Sequence, residues 1–124
     1  MEIEYEDMEI GKELPPLVAG KVMVVGYAEQ DVEKEGKLIG KKLVLKVDYP
    51  GIPGMEVSKL KFIKNKQVKE SGLWLNKDSE GNLPHNSAVA NLLRFYGCRR
   101  ISQMVGKEIE TAVDDMGFCI VKAY

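Results

Sequence analysis

Residues 41–48 alternate between the two faces of an extended chain, with Leu43, Leu45 and Val47 on one side and Lys42, Val44, Lys46 and Asp48 on the other. Side chains two apart share a face in a strand, so this stretch reads as a half-buried strand. Residues 57–63 repeat the pattern, with Leu60 and Phe62 opposing Lys59 and Lys61. A chain with two such segments must build a sheet that is buried on one face and wet on the other. Its lysines belong to the wet face.

The remaining segments extend this sheet. Residues 17–28 form an apolar, valine-rich run that favours a strand over a helix, and Gly20 and Gly26 within it mark a bend or bulge. Residues 29–40 are charged and contain Gly36 and Gly40, so a loop is expected there. Two prolines and two glycines in residues 49–54 force a turn. Beyond residue 63 a break at Asn65-Lys66 or at Ser71-Gly72 precedes Leu73-Trp74-Leu75, a pattern that fits one long bent strand or a hairpin. Residues 76–84 are polar and read as loop.

One helix follows. Asn86 or Ser87 can cap its start, Val89, Leu92, Leu93 and Tyr96 form a single apolar stripe, and Gly97 stands where a left-handed cap belongs. Residues 105–113 and 118–124 are β-rich and flank turn chemistry at Asp114-Asp115-Met116-Gly117, which predicts a closing hairpin. The fold class expected is mainly β: a five- to six-stranded OB-fold-like barrel with one helix between the third and fourth strands.

With that order in place, residues 86–93 (Asn-Ser-Ala-Val-Ala-Asn-Leu-Leu) and 101–109 (Ile-Ser-Gln-Met-Val-Gly-Lys-Glu-Ile) resemble the C-terminal part of small OB-type proteins of phages and archaeal viruses or plasmids. The resemblance covers roughly the last third of the chain. It implies a single-stranded DNA-binding protein of archaeal or viral type.

The domain organisation expected is an acidic, flexible leader over residues 1–13 and one OB-fold-like domain over residues 14–124. With 124 residues, 44% of them hydrophobic and 30% charged, the chain has enough for one packed core and no run long enough to span a bilayer. Acids at the N-terminus replace the basic start of a secretion signal, so a cytoplasmic location and no membrane partner are expected. Cys98 and Cys119 are too few for a stapled scaffold and read as buried thiols, a bridge between them being the alternative. The net charge of −1 conceals segregation: six acids against Lys12 in residues 1–13, and nine lysines against three acids in residues 41–77.

No catalytic constellation is visible. His85 lies in the loop before the helix without a ligand partner at zinc-like spacing. Asp114-Asp115 is explained by turn chemistry, and Glu108 and Glu110 by the solvated face of a strand. Residues 36–42 lack the spacing of a phosphate loop, and no Gly-x-Ser-x-Gly occurs. A non-enzyme with no cofactor and no metal site is expected.

The basic segment remains. Lys42, Lys46, Lys59, Lys61, Lys64 and Lys66 are expected to track phosphates, with Tyr27, Tyr49 and Trp74 as platforms for bases. The partner is then single-stranded DNA or RNA, and the acidic leader can occupy the empty groove. Lysine alternating with apolar residues is also what any amphipathic strand shows, and edge lysines deter aggregation. The alternative is a protein-interaction or assembly module on an OB-like barrel, with leader and lysine face as complementary docking surfaces, in a homodimer or with another protein.

Overall fold

The computed structural model describes residues 5–11 and 16–124. The leader expected over residues 1–13 lies partly outside them, at residues 1–4, 12 and 13. Seven strands form one sheet: β1 (Gly20–Lys34), β2 (Lys37–Tyr49), β3 (Ile52–Val57), β4 (Lys59–Lys64), β5 (Gln67–Gly72), β6 (Glu108–Val113) and β7 (Cys119–Ala123). Their order is β3-β2-β1-β6-β7-β4-β5, and every pairing is antiparallel except β4 with β7. The helix α1 (Ala88–Phe95) stands between β5 and β6 in the chain. Mainly β architecture with one α-helix among the described residues is therefore as expected. The strands number seven rather than five or six, and their ladder has β3 and β5 as open edges.

One departure from the sequence reading has a simple cause, and one open choice is resolved. Residues 29–40 are not a loop, because β1 and β2 run on as a paired arm and reverse at Glu35-Gly36, both with positive φ. Such turns match the right-handed twist of a hairpin. The arm is mostly exposed on both faces, so it lacks the apolar period that marks a strand. Between residues 63 and 75 the hairpin is the observed alternative: β4 and β5 reverse at Asn65-Lys66, with φ of 52° and 63°.

The expected bend in the first strand falls between Val24 and Gly26, where the register with β2 slips by one residue. A second irregularity separates β3 from β4 at Ser58: Val57 turns inward in β3, and Leu60 and Phe62 do so in β4. A one-residue slip flips every following side chain to the other face, so these two positions decide which residues share the core. The core gathers Val22, Val24, Leu43, Leu45, Val47, Val57, Leu60 and Val121 from the sheet with Val89, Leu92 and Leu93 from α1. Each fully buried aliphatic side chain there contributes about 1.5–3 kcal/mol of burial.

Ser87 caps α1, its hydroxyl accepting from the Ala90 N–H at 3.1 Å. At the other end Gly97, φ 71°, reverses the chain. The Cys98 N–H donates to the Leu93 carbonyl at 2.8 Å and the Gly97 N–H to that of Arg94 at 3.2 Å, a Schellman cap. The Tyr96 hydroxyl donates to the Lys122 carbonyl at 2.6 Å and accepts from the Glu110 N–H at 3.0 Å, tying the helix end to β6 and β7. Burial holds this phenol above its ordinary pKa, and the nearby Glu110 carboxylate adds to the effect against the lowering by the backbone bond. Cys98 and Cys119 are buried and unbridged. No helix among the described residues is long and apolar enough to cross a membrane.

Candidate nucleic-acid interface

The segment after β5 brings the basic strands together. Its Leu73 N–H donates to the Ser58 carbonyl at 2.9 Å, the Leu43 N–H donates to Leu73 at 2.7 Å, and the Leu75 N–H donates to Lys41 at 2.8 Å. An isolated antiparallel bridge pairs Trp74 with Lys42. Residues 73–75 thus lie between β2 and the start of β4. Leu73 is fully buried and Leu75 packs on the core, which leaves Trp74 on the opposite face beside Lys42.

That face has a defined construction. The indole is half-buried, and the Lys42 ammonium stands 4.8 Å from its centroid in a cation–π contact. Two glycines make room for it. A Cβ at Gly40 would stand 3.1 Å from indole Cζ3, and one at Gly72 would stand 2.8 Å from Lys42 Cε and 3.2 Å from Trp74 Nε1. Gly40 precedes Lys42 by two residues and Gly72 precedes Trp74 by two, so each lies on the ring's own face. Neither was singled out from sequence as a seat for the ring. A glycine two places before an aromatic in a strand is the signal that could have found Gly72, whereas Gly40 meets the ring only through long-range pairing.

The register locates the other lysines. Gly72 pairs with Lys59 and Glu70 with Lys61, so Lys59 and Lys61 share the Trp74 face across β5. Lys46, four residues beyond Lys42, pairs with Gly26 on one side and Glu56 on the other. Lys59 lies 3.8 Å from the carboxylate of Asp114, whose other oxygen accepts from the Met116 and Phe118 N–H groups. Among the described residues no carboxylate lies within 4.0 Å of Lys42, Lys46 or Lys61.

The remaining candidates lie elsewhere. Lys64 has the parity of Leu60 and Phe62 and so faces away from Trp74, while Lys66 sits in the β4–β5 turn. Tyr27 pairs with Leu45, on the face opposite to Lys42 and Lys46. Tyr49 packs against the core and accepts the Val18 N–H on its hydroxyl at 3.0 Å, a structural engagement. The structure sets Lys42 against Trp74 and places Lys59, Lys61 and Lys46 on the same face, Lys59 two register positions from the ring and Lys61 four. Lys64, Lys66, Tyr27 and Tyr49 are not part of that group.

Of the groups weighed for other chemistry, His85 is exposed. Asp114 caps the β6–β7 turn, and Glu108 and Glu110 pair with Lys21 and Lys122 on the surface of β6. Burial, followed by the Asp114 charge, pushes the Cys119 thiol above its ordinary pKa, which holds it protonated. No known protein family, curated protein or solved structure matches the chain.

Proposed function

We propose that this chain is a non-catalytic single-stranded nucleic-acid-binding protein of OB-fold type, with the Trp74 face as its strand-binding surface. The pairings support the fold reading. If β3 and β4 are two halves of one strand broken at Ser58, then β1, β2, β3/β4, β6 and β7 have the connections of a five-stranded OB barrel. On that reading the helix falls between the third and fourth strands, β5 is an addition, and the Lys42–Trp74 bridge links β2 to the segment after β5. The resemblance of residues 86–93 and 101–109 to OB-type viral proteins points the same way.

The observation that carries the functional reading is the partly buried indole under the Lys42 ammonium, seated on Gly40 and Gly72, on a face that also carries Lys59 and Lys61. An exposed cation–π contact is worth about 0.5–1 kcal/mol. Stacking of a base on an aromatic ring is worth about 1–3 kcal/mol. A base can therefore displace the Lys42 ammonium from the ring, and the released ammonium pairs with the adjoining phosphate. Lys46 and Lys61, whose cross-strand partners Glu56 and Glu70 hold no carboxylate within 4.0 Å of them, neutralise further phosphates along the strand. Recognition of this kind tolerates any sequence, because every base has a π-face and every nucleotide a phosphate.

The test is polarisation of labelled oligo-dT against a duplex of equal length at low salt. Single-strand-selective binding is expected, with a log–log salt slope of about −2 if three lysines each neutralise one phosphate. Equal affinity for the duplex, or no binding at micromolar protein, would reject the proposal.

A further inference from the structure

The chain's three arginines, Arg94, Arg99 and Arg100, and its one histidine, His85, line a single cleft of about 570 Å³ beside α1. This site is separate from the Trp74 face and belongs to none of its strands. The cap at the end of the helix assembles it. Arg94 stands in the last turn of α1, Gly97 reverses the chain, and Arg99 and Arg100 return toward the same cleft. The side-chain oxygen of Gln103 accepts the N–H groups of Arg99 at 2.7 Å and Arg100 at 3.2 Å, which fixes the backbone that carries both guanidiniums.

The electrostatics are one-sided. Among the described residues no carboxylate lies within 4.0 Å of any of the three guanidiniums. The one acid that lines the cleft, Asp78, accepts the N–H groups of Glu80 and Asn82 at 2.9 Å each, so one of its oxygens is already engaged in its own turn. All three arginines are exposed, and three like charges lining one cleft without an anionic neighbour raise its affinity for an anion, most at low salt. Guanidinium matches phosphate geometry with paired hydrogen bonds, which ammonium groups do not. The cleft also has an apolar wall, to which Leu83, Leu93 and Ile101 contribute, and its volume falls within the roughly 300–1,000 Å³ of small-molecule sites.

We propose that this cleft binds a nucleoside polyphosphate, with Arg94, Arg99 and Arg100 holding the phosphates and the Leu83–Leu93–Ile101 wall covering the nucleoside. The site is independent of the strand-binding reading and can stand if that reading falls. Calorimetric titration of ATP, pyrophosphate and adenosine into the full chain at low salt tests it. ATP and pyrophosphate are expected to bind and adenosine alone is not. Replacing the three arginines together (Arg94→Ala, Arg99→Ala, Arg100→Ala) should weaken ATP by at least about a hundredfold, since each charge-assisted hydrogen bond is worth about tenfold or more. The pair Lys42→Ala and Trp74→Ala should leave ATP binding unchanged while abolishing that of oligo-dT.

Absence of binding by both ATP and pyrophosphate, or ATP binding that survives the triple replacement, would overturn the proposal. So would release of bound oligo-dT by ATP that the triple replacement abolishes, because that result assigns the cleft to the strand's own phosphates. A thermal melt of the triple variant that matches the parent excludes misfolding as the cause of any loss.

Discussion

The Trp74 face and the arginine cleft both collect cations, and they do so by opposite means. On the Trp74 face, lysines from β2 and β4 are put on the ring's side of the sheet by strand register and by the three-residue segment that follows β5. In the cleft, three arginines from residues 94–100 are folded together by one helix cap. Lysine is a mobile point charge on a flexible stem, suited to a chain of phosphates that shifts along a surface. Arginine is a rigid fork, suited to a compact anion held in one pose. A sheet face therefore suits a polymer, and a capped helix end suits a small polyanion.

The largest expected effect falls on the element that builds the first region. Leu73→Ala empties a fully buried position in the segment that joins β2 to β4 and should cost about 2–5 kcal/mol in denaturant unfolding. In the folded fraction it should reduce oligo-dT binding and spare ATP. If strand binding is unaffected, the segment does not organise the face. Trp74→Ala should weaken oligo-dT by about 1–3 kcal/mol, with no change in ATP affinity by calorimetry. Tyr96→Phe acts outside both regions, leaving the Glu110 N–H and the Lys122 carbonyl without their shared hydroxyl. A stability loss of about 1–2 kcal/mol is expected in the same unfolding assay. The smallest effect separates lysines by face. Lys42→Ala should lower the steepness of the salt dependence by about 0.7, and Lys64→Ala should leave it unaltered. Equal changes in the two variants would erase the distinction between the faces of the sheet.

What could be read from sequence followed from period. The strand character of residues 41–48, the helix with its Ser87 and Gly97 caps, and the β6–β7 turn all carry local signatures. So does the outward parity of Trp74 between Leu73 and Leu75. What was missed depends on long-range pairing. The slip between Val24 and Gly26 reverses parity in β1 and turns Tyr27 away from the lysines. Tyr49 has the parity of Leu43, Leu45 and Val47, so its inward position was legible; its place among the platforms reflected residue type alone. The β1–β2 arm escaped notice because a strand exposed on both sides has no apolar period. The neighbours of Trp74 were hidden because alternation tells which face a residue occupies but not which strand lies beside it. The three arginines within seven residues are a visible cluster, but their shared cleft depends on the chain reversal at Gly97.

The central claim is that a base stacks on Trp74 in place of the Lys42 ammonium. The chain has one tryptophan, so its proton spectrum holds a single indole N–H signal. On titration with oligo-dT this signal should shift with saturation, follow the same isotherm as polarisation, and stay unmoved by ATP. A strand that binds tightly while the indole signal keeps its position would contradict the account.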